Sequence, residues 1–328
     1  MIIISKCPYR ISLLGGSSDL DWFVERYGEG LSVGFSIQAY STIVLKYRNI
    51  NQKGILNYSS REEYTSIENI THPIIRECLN FFSIKNPIEM SSFGENINGS
   101  GLGSSSSFTV ALINALAELN NRKLSQSEAA NLASEIEIRF LKNQIGRQDQ
   151  YLCSLGGVNI LKFNKDKSVK RVKKIKISEA ISSIANNLYL VNTGITRSAS
   201  ETLKKIKNDK NSFKSIVEIL EIAKNFIDNT EHFDKEKIVN FLLESLKKSW
   251  KIKREITGVM NENLFSIESK LRELDFEVLK LLGAGGGGYF LIRYIGESEE
   301  EGLKKLNQNN LNYQKVLIDN FGSKTWQV

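Results

Sequence analysis

One glycine- and serine-rich segment has the composition of a phosphate-binding loop. It runs Gly99-Ser-Gly-Leu-Gly-Ser-Ser-Ser-Ser107, and apolar residues then recur every three or four positions from Phe108 to Leu119. That period predicts a helix that begins at the serines. The first turn of a helix presents free backbone N–H groups and a positive dipole end, and glycine lets the backbone approach an anion closely. The segment therefore predicts a site for a nucleotide phosphate; a flexible linker before a helix is the alternative.

Two acidic residues downstream, Glu137 and Asp149, are candidate functional residues near such a phosphate. Glu137 lies on the shoulder of the apolar face of a helix that opens with the capping box Ser125-Gln-Ser-Glu128, whereas Glu135 lies well away from that face. The apolar face predicted for this helix consists of Ala129, Leu132, Ala133, Ile136 and Phe140. Glu137 can therefore lean into a site at the buried edge of the helix, unless it simply reaches solvent. Asp149 lies in a polar stretch, Arg147-Gln-Asp-Gln150, with hydrogen-bonding neighbours on both sides.

Charged residues also flank the end of an early strand. The run Tyr9-Arg-Ile-Ser-Leu-Leu14 predicts a strand that stops at the loop Gly15-Gly-Ser-Ser-Asp19. Arg10 and Asp19 stand on either side of this loop. An exposed strand position for Arg10 and a helix N-cap for Asp19 are the alternatives to a role in a site.

The elements around these residues predict an α+β fold in two domains. A composition shift at 164–176 places the boundary between residues 1–176 and 177–328. After it, strands at 188–192, 276–282, 289–295 and 316–319 and helices at 212–228, 235–252 and 298–306 give the order βααββαβ. An antiparallel sheet with helices on one face satisfies that order.

Composition narrows the classes of function. The chain has 328 residues, 41% of them hydrophobic, and contains neither an apolar run of eighteen residues nor a basic leader, so a cytoplasmic protein without a membrane partner is expected. Three cysteines and two histidines argue against disulfide frameworks and zinc sites. The net charge is +7, but the basic clusters at 162–176 and 204–214 lack interleaved aromatic residues. An anionic small molecule is therefore expected rather than nucleic acid.

Two glycine loops need an explanation other than the common nucleotide-binding motifs. The segment at Gly99 lacks Gly-Lys-Ser/Thr, which excludes a P-loop. The segment Gly283-Ala-Gly-Gly-Gly-Gly288 matches Gly-x-Gly-x-x-Gly, but a strand follows it where a dinucleotide fingerprint needs a helix. No His-Arg-Asp or Asp-Phe-Gly triplet exists, which excludes a protein kinase.

Three segments in order resemble the three motifs of the GHMP small-molecule kinases. They are Pro8-x-Arg10-Ile-x-Leu-x-Gly-Gly16, Gly101-Leu-Gly-Ser-Ser105 and Leu282-Gly-Ala-Gly-Gly-Gly-Gly288. The resemblance covers nearly the whole chain. It implies an N-terminal ribosomal protein S5 domain 2-like α/β domain and a C-terminal ferredoxin-like antiparallel α/β sandwich.

Further segments make the chain most similar to the family's sugar 1-kinases of D-glycero-D-manno-heptose 7-phosphate. They are the Gly-Gly-x-x-Asp19 ending of the first motif, Gly146-x-x-Asp-Gln150, Thr193-Gly-Ile-Thr-Arg-Ser-Ala199 and Trp250-x-Ile-Lys253. Galactokinases are less similar, because they carry Glu-His where Gly16 and Ser17 stand.

The resemblance implies ATP and Mg²⁺ as cofactors and assigns roles to residues of this chain. The residues implied to hold the nucleotide are Gly99, Ser100, Gly101, Leu102, Gly103, Ser104, Ser105 and Ser106, with Ser105 and Glu137 as metal ligands. Asp149 would take the proton of the anomeric hydroxyl, and Arg10 would keep Asp149 ionised. The residues implied to contact the sugar phosphate are Gly16, Ser17, Asp19, Thr193, Gly194, Arg197, Gly285, Gly286 and Gly287. Arg197 would bind the substrate's own phosphate or, alternatively, form a structural ion pair.

The expected activity is thus a kinase that forms a heptose 1,7-bisphosphate for the synthesis of nucleotide-activated heptose. Two alternatives remain at this stage. One is a kinase of an unphosphorylated sugar such as fucose or galactose, and the other is a sugar-sensing protein that has lost phosphoryl transfer. Intact Asp149 and Glu137 count against the second. A monomer or a homodimer is expected.

Overall fold

Two β-sheets with helices packed on them form the fold, which confirms the α+β expectation. The computed structural model describes residues 1–95, 101–196, 199–209 and 211–328. In these ranges the first sheet comprises β1 (Ile3–Leu14), β2 (Glu29–Tyr47), β3 (Gly54–Asn57), β4 (Arg61–Tyr64), β5 (Ile88–Gly94), β6 (Val158–Asn164), β7 (Val169–Val172) and β12 (Lys324–Gln327). The second comprises β8 (Leu188–Asn192), β9 (Phe276–Leu281), β10 (Tyr289–Tyr294) and β11 (Tyr313–Lys315).

Helices join and cover the strands. The α-helices of the described residues are α1 (Asp21–Tyr27), α2 (Pro73–Phe81), α3 (Ser104–Leu119), α4 (Gln126–Ser134), α5 (Gln148–Leu155), α6 (Ile175–Ala185), α7 (Ala199–Asn208), α8 (Ser212–Asn229), α9 (Lys235–Lys253), α10 (Glu262–Glu273) and α11 (Glu299–Gln308). A 3₁₀ turn lies at Ile67–Asn69. Helix α3 begins at the serines, as the sequence predicts.

The long strand β2 organises the first sheet. It pairs with β1 along one edge, and on its other edge residues 29–35 pair with β6 and residues 41–47 with β5. The strand order is β12-β1-β2-β5-β3-β4, and β3 with β5 is its parallel pair. Strand β1 therefore lies inside the sheet, which buries Arg10 in the middle of the fold.

The second sheet is antiparallel in the order β11-β8-β10-β9, as predicted. The predicted element order is wrong in two respects, because α6, α7 and α10 are additional helices and the last strand of this sheet is Tyr313–Lys315 rather than 316–319. The segment after β11 instead bonds back to the first sheet, where Gln38 donates its backbone N–H to Leu317 and Ile318 forms an isolated bridge with Ile37.

One apolar core joins the two sheets. Ile11 and Phe35 of the first sheet belong to the same buried cluster as Leu190 and Phe290 of the second. The division into 1–176 and 177–328 stays a prediction, and the final strand β12 returns to pair with β1.

The helix that carries Glu137 changes its winding. Residues Glu135–Phe140 form a π-helix, in which Leu141 donates its N–H to the carbonyl of Ile136, five residues back, at 3.0 Å. The wider turn rotates the residues that follow. Phe140, predicted on the buried face, is therefore 47% exposed, and that prediction was wrong.

The fold also bears on the cysteines and on membrane-spanning segments. Cys7, Cys78 and Cys153 are buried free thiols. Among the helices that the structure describes, none is long and apolar enough to cross a membrane.

Candidate active site

A cavity of about 400 Å³ lies where the end of β1, the start of α3 and the β9–β10 loop meet. Most of the predicted site residues lie on its wall. Those that line it are Arg10, Gly16, Ser17, Asp19, Gly101, Gly103, Ser104, Ser105, Ser106, Glu137, Asp149, Gly285 and Gly287. Residues from distant parts of the chain thus converge on one space, as a shared site requires.

The remaining predicted residues form two groups. Gly99, Ser100 and Arg197 fall outside the described residues. The structure does not place Leu102, Thr193, Gly194 or Gly286 on the cavity wall, and their binding roles stay predictions.

Three of these residues form hydrogen bonds that support the loops around the cavity. The buried Leu102 accepts the backbone N–H of Arg10 at 2.9 Å. Thr193 donates both its N–H and its hydroxyl to the carbonyl of Gly288, at 2.9 and 2.8 Å, and Gly286 donates its N–H to Val259 at 2.5 Å. The contacts of Thr193 and Gly286 fix the β9–β10 loop, and that of Leu102 ties the loop before α3 to β1.

Arg10 and Asp149 form a buried two-pronged ion pair. The Nε of Arg10 donates to Oδ1 of Asp149 at 2.8 Å and its Nη2 to Oδ2 at 2.5 Å, while Nη1 donates to the carbonyl of Gly101 at 2.5 Å. The arginine side chain is 4% exposed and the aspartate 29%. Burial lowers the pKa of Arg10, but the charge and hydrogen bonds of Asp149 outweigh it and raise that pKa. The exposed-strand alternative for Arg10 is therefore excluded.

Asp19 also lies on the cavity wall, where it is hydrogen-bonded to Gln148. Its Oδ2 and Oδ1 accept the backbone and side-chain N–H groups of Gln148, both at 2.9 Å. The amide oxygen of Gln148 in turn accepts the hydroxyls of Ser12 and Ser32, at 2.8 and 2.9 Å. Burial raises the pKa of Asp19 to about 7. Asp19 is not an N-cap, because Leu20 occupies that position without a side-chain bond.

Glu137 lies beside the serines of α3. Its Oε1 accepts the Ser105 hydroxyl at 3.1 Å and its Oε2 accepts the Gln150 amide at 2.7 Å. Burial raises the pKa of Glu137 to about 7, so an added positive charge nearby would favour the ionised form. The solvent-exposed alternative for Glu137 is excluded, because its side chain is almost wholly buried.

The same group of side chains fits a magnesium ion held with a nucleotide. Within the described residues, no three His, Cys, Asp or Glu are grouped to hold a metal. Ser105 and Glu137 nevertheless provide a hydroxyl and a carboxylate, and the buried Oε1 of Gln150 has no hydrogen-bond partner there. Mg²⁺ takes oxygen ligands, often one or two carboxylates completed by substrate phosphates and water.

The two glycine loops of the sequence are in backbone contact. A Cβ on Gly101 would meet the carbonyl oxygen of Leu282 at 2.6 Å, and one on Gly283 would meet the Cα of Gly101 at 2.5 Å. Lys253 of α9 donates its Nζ to the carbonyls of Leu281 and Gly283, at 3.0 and 2.6 Å. The start of α3 therefore abuts a loop of the second sheet.

Known proteins resemble this chain in sequence and in fold. Residues 70–157 match the family described as GHMP kinases N terminal domain, a range that contains α3, Glu137 and Asp149. The D-glycero-alpha-D-manno-heptose 7-phosphate kinase of Campylobacter jejuni is 27% identical over 99% of both chains. The chain therefore contains a GHMP kinase N-terminal domain. It is a small-molecule kinase of the α+β fold described above.

Two further proteins resemble this chain. The crystal structure of a D-glycero-D-manno-heptose 1-phosphate kinase from Bacteriodes thetaiotaomicron has a TM-score of 0.74 at 21% identity and covers 99% of both chains, which shows the shared fold. The bifunctional fucokinase/GDP-fucose pyrophosphorylase of Arabidopsis thaliana is 25% identical over 88% of this chain and 29% of its own length.

Sequence reasoning missed several residues of the candidate site. Lys280, Lys253, Gln148 and Ser12 line the cavity, and Gln150 holds Glu137. A charged residue inside the apolar strand β9 was a signal for Lys280. The hydrogen-bonding residues on either side of Asp149 were a signal for both glutamines. Their partners could not be named, because those partners lie far away in the sequence.

Proposed function

We propose that the chain is an ATP- and Mg²⁺-dependent sugar 1-kinase. Its acceptor would be the anomeric hydroxyl of D-glycero-D-manno-heptose 7-phosphate, and its product the 1,7-bisphosphate, a precursor of nucleotide-activated heptose. The observation that carries this proposal is the Arg10–Asp149 pair on the cavity wall, between the serine-rich start of α3 and the Asp19–Gln148 network. The choice of heptose phosphate rests on the 27% identical Campylobacter jejuni relative.

The nucleotide phosphates would lie at the start of α3. Ser104, Ser105 and Ser106 line the cavity in the first turn of this helix, where backbone N–H groups have no helical partners. Gly103, with φ of 74°, turns the chain into the helix, and a Cβ there would lie 3.0 Å from Cγ of Arg10. Glycine thus lets the phosphate-binding turn lie directly against the catalytic arginine.

Ser105 and Glu137 would hold the magnesium ion, with the free oxygen of Gln150 nearby. When bound, the ion would neutralise phosphate charge. The buried carboxyl of Glu137 accepts hydrogen bonds from Ser105 and Gln150, which orient both of its oxygens.

Asp149 would accept the proton of the acceptor hydroxyl, and Arg10 would position it. The two-pronged contact with Arg10 fixes the plane of the carboxylate, and the positive charge favours its ionised form. The same guanidinium would stabilise negative charge that develops on the transferred phosphoryl group. Phosphoryl transfer depends mainly on such positioning and electrostatic stabilisation.

Asp19 would contact hydroxyls of the sugar. Gly146 packs against it, because a Cβ there would lie 1.9 Å from Oδ2 of Asp19. Gly16 and Ser17 lie on the same part of the wall, and Gly285 and Gly287 approach from the second sheet. A Cβ on Gly285 would meet Val259 and one on Gly287 would meet Ile195, so glycine lets this loop pack closely at the cavity wall.

A coupled ADP-release assay across sugars and sugar phosphates tests the proposal. We expect turnover with heptose 7-phosphate and ATP·Mg²⁺, and much less with free fucose or galactose. Turnover with free fucose or galactose alone would contradict the heptose assignment and favour a fucokinase-type activity, for which the Arabidopsis relative is the supporting observation. Sugar binding without any turnover would contradict a kinase. The cytoplasmic location and the monomeric or dimeric state stay predictions.

A further inference from the structure

Lys280 is a buried cation that the proposed reaction has not yet used. It lies in β9, is 6% exposed and lines the cavity. Its Nζ donates to the carbonyl of Leu13 at 2.7 Å, which accounts for one of its three N–H donors. Within the described part of the chain it forms no ion pair, and the charged group that acts on it is another cation, Arg10.

The other cations on the cavity wall are already engaged. Arg10 is neutralised by Asp149 and also bonds Gly101. Lys253 bonds the carbonyls of Leu281 and Gly283 and so fixes the glycine loop. Lys280, by contrast, bonds a single carbonyl, that of Leu13, and no ion pair with a carboxylate of the described residues balances its charge. A buried charge without a counter-ion is costly, and burial and Arg10 accordingly lower the pKa of Lys280 to about 7.

A bound anion would supply the missing counter-charge. We propose that Lys280 binds a phosphate group of the substrates in this cavity, beside Arg10. The inference rests on the proposed function, because it names the cation that would meet a phosphate there. Two phosphates are available, the γ-phosphoryl group of ATP and the acceptor's own phosphate, and both present the same oxygen acceptors to an ammonium group.

Three substitutions at Lys280 and one control test the proposal. Lys280→Met removes the charge and keeps an unbranched side chain, Lys280→Gln keeps N–H donors for the Leu13 carbonyl without the charge, and Lys280→Arg keeps the charge. Lys270→Met, at an exposed position of α10, is the matched control. We expect kcat/KM to fall about 10- to 100-fold in the Met and Gln variants, the range for loss of a hydrogen bond to a charged group.

Acceptors with and without their own phosphate identify which phosphate is bound. A KM increase for heptose 7-phosphate, with unchanged kinetics on the dephosphorylated heptose, would assign Lys280 to the acceptor's phosphate. An equal fall in kcat with both acceptors would assign it to the transferred phosphoryl group. A folded Lys280→Met enzyme with kcat/KM within about twofold of the wild type on both would overturn the proposal.

A binding measurement separates this inference from the proposed activity. Inorganic phosphate should raise the Tm of the wild type, Lys280→Arg and Lys270→Met, but not that of Lys280→Gln. This readout needs no turnover, so it still tests Lys280 if the wild type phosphorylates no heptose, or if Lys280→Met does not fold. Equal stabilisation of the Gln and Arg variants by phosphate would show that Lys280 only anchors Leu13.

Discussion

Two aspartates in this chain are each paired with a buried arginine, and their surroundings differ. Asp149 pairs with Arg10 on the cavity wall, whereas Asp21 pairs with Arg147 at 3.2 Å and does not line the cavity. Both aspartate side chains are 29% exposed, and their arginines are 4% and 8% exposed. The pairs are therefore matched in burial and differ in access to substrate.

Replacing Asp149 by Asn should abolish most of the activity and leave the protein folded. We expect kcat to fall roughly 10²- to 10⁴-fold, the usual contribution of a general acid or base, because the amide cannot accept the acceptor proton. Initial-rate kinetics at saturating substrates give the comparison. Asp21→Asn is the control and should keep kcat near the wild-type value, although it also breaks an ion pair with a buried arginine. Near-normal kcat in Asp149→Asn would contradict the role of Asp149 as a base.

Among the elements, the contact between the two glycine loops decides the shape of the site. Gly283 and Gly101 both have positive φ, of 69° and 74°, and lie backbone to backbone. Gly258 also has positive φ, 81°, but a Cβ there would meet only Lys205 Cδ, at 3.7 Å. The cost of positive φ can thus be separated from the cost of losing the loop contact.

Gly283→Ala should lower both Tm and affinity for ATP, whereas Gly258→Ala should lower Tm only. Each alanine carries a left-handed penalty of roughly 1–2 kcal/mol. In Gly283→Ala the methyl group must also displace the backbone of Gly101, so the start of α3 moves. Thermal unfolding and KM for ATP measure the two effects. Equal behaviour of the two variants in both measurements would show that the loop contact does not position the nucleotide.

The π-helix is the second element that shapes the site. Residues 135–140 follow α4 directly, and the wider turn leaves Glu137 inside while Phe140 points outward. Helical periodicity selected Glu137 correctly because the change of winding begins only two residues before it. The same periodicity gave the wrong face for Phe140, because by that residue the wider π-helical turns have rotated the side chains away from the α-helical positions.

For the molecule as a whole, two buried carboxyls should make stability depend on pH. Burial raises the pKa of both Asp19 and Glu137 to about 7. Between their ordinary pKa near 4 and pH 7, the folded protein therefore holds protons that the unfolded chain releases. Their contribution to stability should be greatest at low pH and should fall as pH rises through about 7.

Glu137→Gln isolates one of these contributions. Gln resembles the protonated carboxyl, so the Tm of the variant relative to the wild type should rise between about pH 4 and pH 7 and then level off, because the folded and unfolded pKa values bound this window. Thermal unfolding over this range, without nucleotide or metal, provides the measurement. Glu273→Gln, at an exposed position of α10, should show a flat difference. A flat difference for Glu137→Gln as well would contradict the raised pKa.

Much of this protein follows from local sequence. The start of α3 at Ser104 and the antiparallel second sheet agree with what local sequence predicts. These features could be predicted because they depend on residues close together in the sequence. Glycine allows unusual backbone conformations at its own position, and the spacing of apolar residues shows which face of a helix or strand is buried. The resemblance to the GHMP kinases, rather than local sequence, was the reason to expect Arg10, Asp149 and Glu137 in one site; all three line the cavity, and their roles stay predictions.

Only the tertiary structure decided which distant groups meet. It placed Gly283 against Gly101, Gln148 between Asp19 and two serines, and Lys280 beside Arg10. It also returned β12 to the first sheet. These pairings depend on how two sheets share one core, and the spacing of residues along the chain does not encode that packing.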